Sequence, residues 1–167
     1  MSADEAGADA EQGGRPSTAG RRRSVARLGA VQALYQLALN PGLAADVVVG
    51  EFRRHRLGRE IDGEVYGEAD EKLFSDIVRG VAAHGARLDE TISAALSEEW
   101  PLRRLETILR LILEAGAYEL SYRPDIPPRV ILSEYVGIAH AFFDGGEPAM
   151  ANGVLNHLAR ALRAAEL

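Results

Sequence analysis

The sequence contains no cysteine, which excludes disulfides, thiolate metal sites and thiol nucleophiles and leaves stability to packing alone. Histidine is scarce as well. His55, His84, His140 and His157 never fall at the spacing that sets two imidazoles on one helix face, so no metal centre is expected. Aromatic residues make up only 6% and strand formers are thin, whereas alanine and leucine supply 27 and 20 of the 167 residues, which predicts an all-helical protein. No apolar run is long enough to cross a bilayer, and the acidic, glycine-rich N-terminus lacks the basic-then-apolar order of a signal peptide. A cytoplasmic protein without membrane contact is the expectation.

Catalytic signatures are missing too. The single lysine, Lys72, follows Glu71 rather than a glycine, so there is no phosphate-binding P-loop. Neither a G-x-G-x-x-G turn nor a G-x-S-x-G elbow occurs, which excludes nucleotide-fold and serine-hydrolase chemistry. The acid pairs Asp89-Glu90 and Glu98-Glu99 are adjacent, point in different directions on a helix and read as solvated faces. The chain is therefore expected not to be an enzyme and to need no cofactor.

What is present is charge of two signs in two blocks. Residues 1–14 carry Asp4, Glu5, Asp9 and Glu11 and no base, whereas residues 15–27 carry Arg15, Arg21, Arg22, Arg23 and Arg27 and no acid, within a net charge of −6. Residues 1–20 are expected to form a disordered acidic tail ahead of a helical domain over residues 21–167. The arginines run directly into apolar residues at helical spacing from Val25 to Leu39, which Asn40-Pro41-Gly42 stops. They sit near a helix N-terminus, where the helix dipole disfavours cations, so a cluster kept there points to an anionic ligand. Arg21, Arg22, Arg23 and Arg27 are the candidate contacts to the phosphates of a nucleic acid.

A second helix is predicted from Leu43 to about Arg56, with Val47, Val48, Phe52 and Leu57 facing inward and Arg53, Arg54 and Arg56 outward. Gly58 to Gly67 reads as a loop. Asp70 caps a third helix whose stripe is Leu73, Ile77, Val81, Leu88, Ile92 and Leu96, reaching Ser97, with Gly80 and Gly85 marking close contacts or a bend. Trp100-Pro101 breaks the chain, and Leu105 to Leu120 is apolar nearly all round, as a central helix must be. Pro127-Pro128 opens the next helix, buried through Ile131, Tyr135, Ile138 and Phe142. Asp144-Gly145-Gly146 closes it, and a last helix begins near Pro148 with Val154, Leu155, Leu158 and Leu162 inward. The total is six or seven helices and no strand.

Four segments resemble the NusB family in order. They are R-R-R-S-V-A-R-L-G-A-V-Q-A-L-Y-Q from Arg21, W-P-L-R-R-L from Trp100, G-A-Y-E-L with R-P-D-I-P-P-R-V from Gly116 to Val130, and A-N-G-V-L-N from Ala151. The resemblance spans residues 21 to 163 and implies two packed three-helix bundles. It further implies a non-enzymatic RNA-binding factor in transcription antitermination that binds the boxA element of nascent ribosomal RNA. Its partners would be the small-subunit ribosomal protein also called NusE and the RNA polymerase antitermination complex. By that resemblance Phe142, Met150 and Asn152 match positions close to RNA, and Tyr35, Leu39, Glu106 and Leu109 would meet the protein partner. The chain departs from the family at Ser133, where asparagine is usual, at Met150, often phenylalanine, at Leu109, often acidic, and at Glu114, often basic. Two other readings stand beside this one: a protein-interaction module that does not bind RNA, and the RNA-binding part of a ribosomal-RNA cytosine methyltransferase. An apolar face left open for a partner also leaves a homodimer as an alternative.

Overall fold

A computed structural model describes residues 18–55, 60–61, 64–65 and 69–167. Among them six helices carry the fold: α1 (Thr18–Leu39), α2 (Ala45–His55), α3 (Glu71–Ala95), α4 (Thr107–Tyr122), α5 (Pro128–Phe142) and α6 (Glu147–Leu162). Single 3-10 turns cover Leu102–Arg104 and Ala164–Glu166. Helices α1, α2 and α3 pack on one another, as do α4, α5 and α6, and α1 and α3 lie against α4. The result is two three-helix bundles joined through α4.

Local chemistry sets the boundaries. Gly42, at φ 95°, makes the left-handed turn that ends α1 after Asn40-Pro41. The Asp70 carboxylate accepts the Leu73 N–H at 3.0 Å and so caps α3. Pro128 occupies the first turn of α5, where its missing N–H costs nothing. Every residue from Leu111 to Leu120 of α4 is buried, as an apolar circumference requires of a shared central helix.

Several expectations are corrected. Helix α1 begins at Thr18, three residues upstream of the expected boundary, while the acidic stretch before it lies outside the described residues. In α2 the buried valines are Val48 and Val49, whereas Val47 is 55% exposed; Leu57 and Arg56 fall outside the described residues. A two-residue antiparallel ladder, Glu60–Ile61 on Glu64–Val65 (β1 and β2), occupies the segment expected to be pure loop. Helix α3 ends at Ala95 rather than Ser97. Gly80 is a close contact, since a Cβ there would collide with the Tyr118 ring, but Gly85 has nothing within 4 Å. Phe142 is exposed at 39%, and its neighbour Phe143 packs against the core instead.

Candidate nucleic-acid interface

The N-terminal turns of α1 stand against the start of α3. The Asp70 N–H donates to the Arg22 carbonyl at 3.0 Å, and Arg23 Nε lies 3.7 Å from the Asp70 carboxylate. This pins the two helix starts on either side of an open cleft of about 1330 Å3. Arg22 and Arg23 line it from α1, Arg53 from α2, Lys72 and Arg79 from α3, and Glu134 from α5. Arg21 and Arg22 are exposed, and Arg23 keeps 42% of its side chain accessible. Of the acids in the cleft, Asp76 is already engaged, accepting from Tyr118 Oη at 2.7 Å and from Arg123 Nη1 at 2.9 Å. Glu134 accepts from Ser24 Oγ at 2.7 Å.

Arg27 borders the cleft but exposes almost none of its side chain to it. Its side chain is 1% exposed, and Nε and Nη2 each donate to the Glu119 carboxylate at 2.9 Å. Tyr135 Oη donates to the same carboxylate, and Glu134 stands 3.8 Å from Arg27 Nη1. Burial opposes the charge on Arg27, but the hydrogen bonds and negative charge of Glu119 outweigh it and hold the guanidinium more firmly protonated than usual. Burial first, then the Glu119 charge, pushes the Tyr135 hydroxyl well above its ordinary range, so it remains a donor. Arg27 is held by Glu119 rather than offered to the cleft. The residue ties α1 to α4, and its expected RNA contact is corrected to a buried structural pair.

A second surface lies farther along α1. Tyr35, 37% exposed, and Leu39, 60% exposed, line an apolar groove of about 440 Å3 with Val31, Gln32, Gln36, Ile108 and Phe142. Among the described residues no charged side chain lines it. Leu109 is 1% exposed in the core and is unavailable to a partner; Ile108, one residue earlier, faces the groove in its place. Glu106 is exposed at the N-cap of α4 and does not line the groove.

The structure therefore separates residues that the sequence grouped. Phe142 sits with Tyr35 and Leu39, away from the arginines. Met150 is half-buried on α6, packed against the core, and Asn152 is exposed, its Oδ1 accepting from Asn156 Nδ2 at 3.0 Å. None of these three lines the basic cleft.

Sequence reasoning missed Arg53, Lys72 and Arg79 as part of that cleft, and Glu119 as the counter-charge of Arg27. Glu119 carried a signal. An acid inside a helix apolar on every side needs a buried cation, and Arg27 is the arginine of the cluster set deepest into α1. Glu114 carried the same signal and faces Asp89, which is not the purely solvated acid expected.

The model of the NusB family matches residues 24–160. The chain is 50% identical over 145 residues to the transcription antitermination protein NusB of Nitrobacter hamburgensis, covering 87% of this chain and 90% of that protein. It is 47% identical over 149 residues to the protein of the same name in Rhizobium rhizogenes, covering 89% and 92%. Among solved structures, NusB of T. maritima superposes with a TM-score of 0.68 at 26% identity, covering 84% of this chain and 90% of that one. A structure of antitermination factors NusB and NusE in complex with double-stranded RNA superposes equally well, TM-score 0.68, at 21% identity over 84% of this chain and 98% of that one.

Proposed function

Since the chain belongs to the NusB family of non-enzymatic transcription antitermination proteins, we propose that it binds single-stranded, boxA-type RNA of nascent ribosomal RNA transcripts together with NusE. The observation that carries the RNA half of this reading is the open basic cleft at the start of α1, where Arg22 and Arg23 concentrate positive potential on a chain of net charge −6. Guanidinium groups suit phosphate, since they offer planar, paired donors that remain charged. The apolar groove at Tyr35, Leu39 and Phe142 supports the protein half, because aromatic residues with a polar tip serve as anchors in protein interfaces. The fold is shared with a structure in which NusB and NusE are bound to double-stranded RNA.

Filter binding of a boxA-type single-stranded oligoribonucleotide across a salt series tests the RNA half. Wild type is expected to lose affinity steeply with salt, and Arg22→Gln/Arg23→Gln to flatten the log–log slope by about 1.4, at about 0.7 per lost phosphate contact. Unchanged slope and affinity in that variant would reject the assignment.

A further inference from the structure

The cleft has two walls, and the α1 arginines occupy only one of them. On the other, Lys72 and Arg79 lie seven residues apart on α3 and so share a face, with Arg53 of α2 beside them. Their pairing is loose. Arg53 donates to Glu71 at 2.9 and 3.1 Å with half of both side chains exposed, and Arg79 donates to Asp46 at 2.7 Å with 55% and 78% exposed. Lys72 is exposed and has no ion-pair partner among the described residues. Exposed pairs of this kind hold weakly and are screened by salt, so a phosphate can displace the carboxylates.

Three of the charges lining the cleft are paired with groups outside it: Asp76 with Arg123, Arg27 with Glu119 and, at the exposed surface, Arg79 with Asp46. Its other lining charges are Arg22, Arg23, Arg53 and Lys72 beside Asp70, Glu71 and Glu134. Among the described residues the apolar side chains lining it are Ala19, Ala69 and Val130, none of them a large aromatic of the kind that anchors a protein partner. A hydrated, repeating anion fits better.

We propose that the RNA strand held by α1 continues across the cleft onto the α2–α3 wall, where Lys72 takes a backbone phosphate directly. Arg79 and Arg53 then exchange Asp46 and Glu71 for phosphates. In the free protein those two acids hold the arginines in reserve and compete with RNA for them. This rests on the RNA reading above and adds to it a second set of contacts and a built-in competitor.

The test is fluorescence anisotropy of a labelled boxA-type single-stranded oligoribonucleotide against the full chain over a salt series. Lys72→Gln is expected to weaken binding about three- to tenfold at low salt and to flatten the slope by about 0.7, while Lys72→Arg binds as wild type. Asp46→Asn and Glu71→Gln are expected to tighten binding about two- to threefold, because each frees an arginine and removes a competing anion. Glu98→Gln removes the same charge from an exposed site beyond the far end of α3, roughly 35 Å away at 1.5 Å per residue, and should change nothing. Lys72→Gln binding like wild type, or Asp46→Asn and Glu71→Gln no tighter than Glu98→Gln, would overturn the inference. If Arg22→Gln/Arg23→Gln still weakens binding in that case, RNA remains on α1 and only the second wall falls. If wild type itself does not bind, the RNA reading falls.

Discussion

At the scale of the residue, this protein places charge inside its core in two different ways. Arg27 and Glu119 are a complete pair, two guanidinium hydrogen bonds with a tyrosine donor besides, so the cost of desolvating both charges is offset by mutual attraction. Glu114 is not so placed. It is 6% exposed, and burial, then the hydrogen bond and charge of Asp89, push its carboxyl up to about 8, with Arg110 at 3.4 Å pulling only weakly the other way. A carboxyl raised in the folded state binds its proton more tightly there than in the unfolded chain. Its favourable contribution is therefore complete below the ordinary carboxylate range and is lost as pH rises from about 4.5 towards about 8. Glu114→Gln retains the shape and the donor without the charge. Urea melts are expected to show wild type losing about 2–4 kcal/mol relative to this variant between acid and pH 9, with the two alike near pH 4. A constant difference across that range would mean that Glu114 does not titrate in the window.

Elements were legible wherever breakers and periodicity agreed, and individual faces were not. Asn40-Pro41-Gly42, Asp70 and Pro128 each mark a helix boundary through local backbone chemistry, which needs no knowledge of neighbours. The choice between adjacent apolar residues does need it. Leu109 and Ile108 sit on a helix apolar on every side, so only the packing of the bundles decides which one reaches the groove, and Phe142 and Phe143 pose the same problem at the end of α5. Arg23 and Arg27 are one turn apart on a single face of α1, and what separates them is depth, since Arg27 alone is covered by α4 and α5. Cross-element sites such as the cleft formed with α2 and α3 join residues some fifty positions apart and leave no periodic trace. The glycines of α3 offer a test of element packing. Gly80 lets α3 approach Tyr118 of α4, so Gly80→Ala is expected to cost about 1–3 kcal/mol, whereas Gly85→Ala, in open space on the same helix, should gain about 0.5–1 kcal/mol. Thermal or urea unfolding measures both, and equal effects would mean that helix propensity, not the α3–α4 contact, sets the cost.

At the scale of the whole molecule, α1 serves both surfaces: its first turns carry the arginines of the cleft and its last turns carry Tyr35 and Leu39 of the groove. Arg22 and Tyr35 are thirteen residues apart on one rigid helix, roughly 20 Å at 1.5 Å per residue. Sites that far apart with no shared side chains respond to substitution independently. The two surfaces also differ in kind, since the cleft is lined by charge and the groove, among the described residues, by none. RNA affinity should thus fall steeply with salt, while affinity for NusE changes little. Tyr35 is more than one-third exposed, so Tyr35→Asp is expected to leave the fold and the RNA salt slope intact while abolishing NusE binding. Arg22→Gln/Arg23→Gln should do the reverse, and the combined variant should lose both without any excess. Calorimetric titration of NusE at low and high salt, beside RNA anisotropy on the same preparations, measures each term. A folded Tyr35→Asp protein that binds NusE at wild-type affinity would remove the groove as the docking face. Partner affinity as salt-sensitive as RNA binding would move the docking face onto the charged cleft.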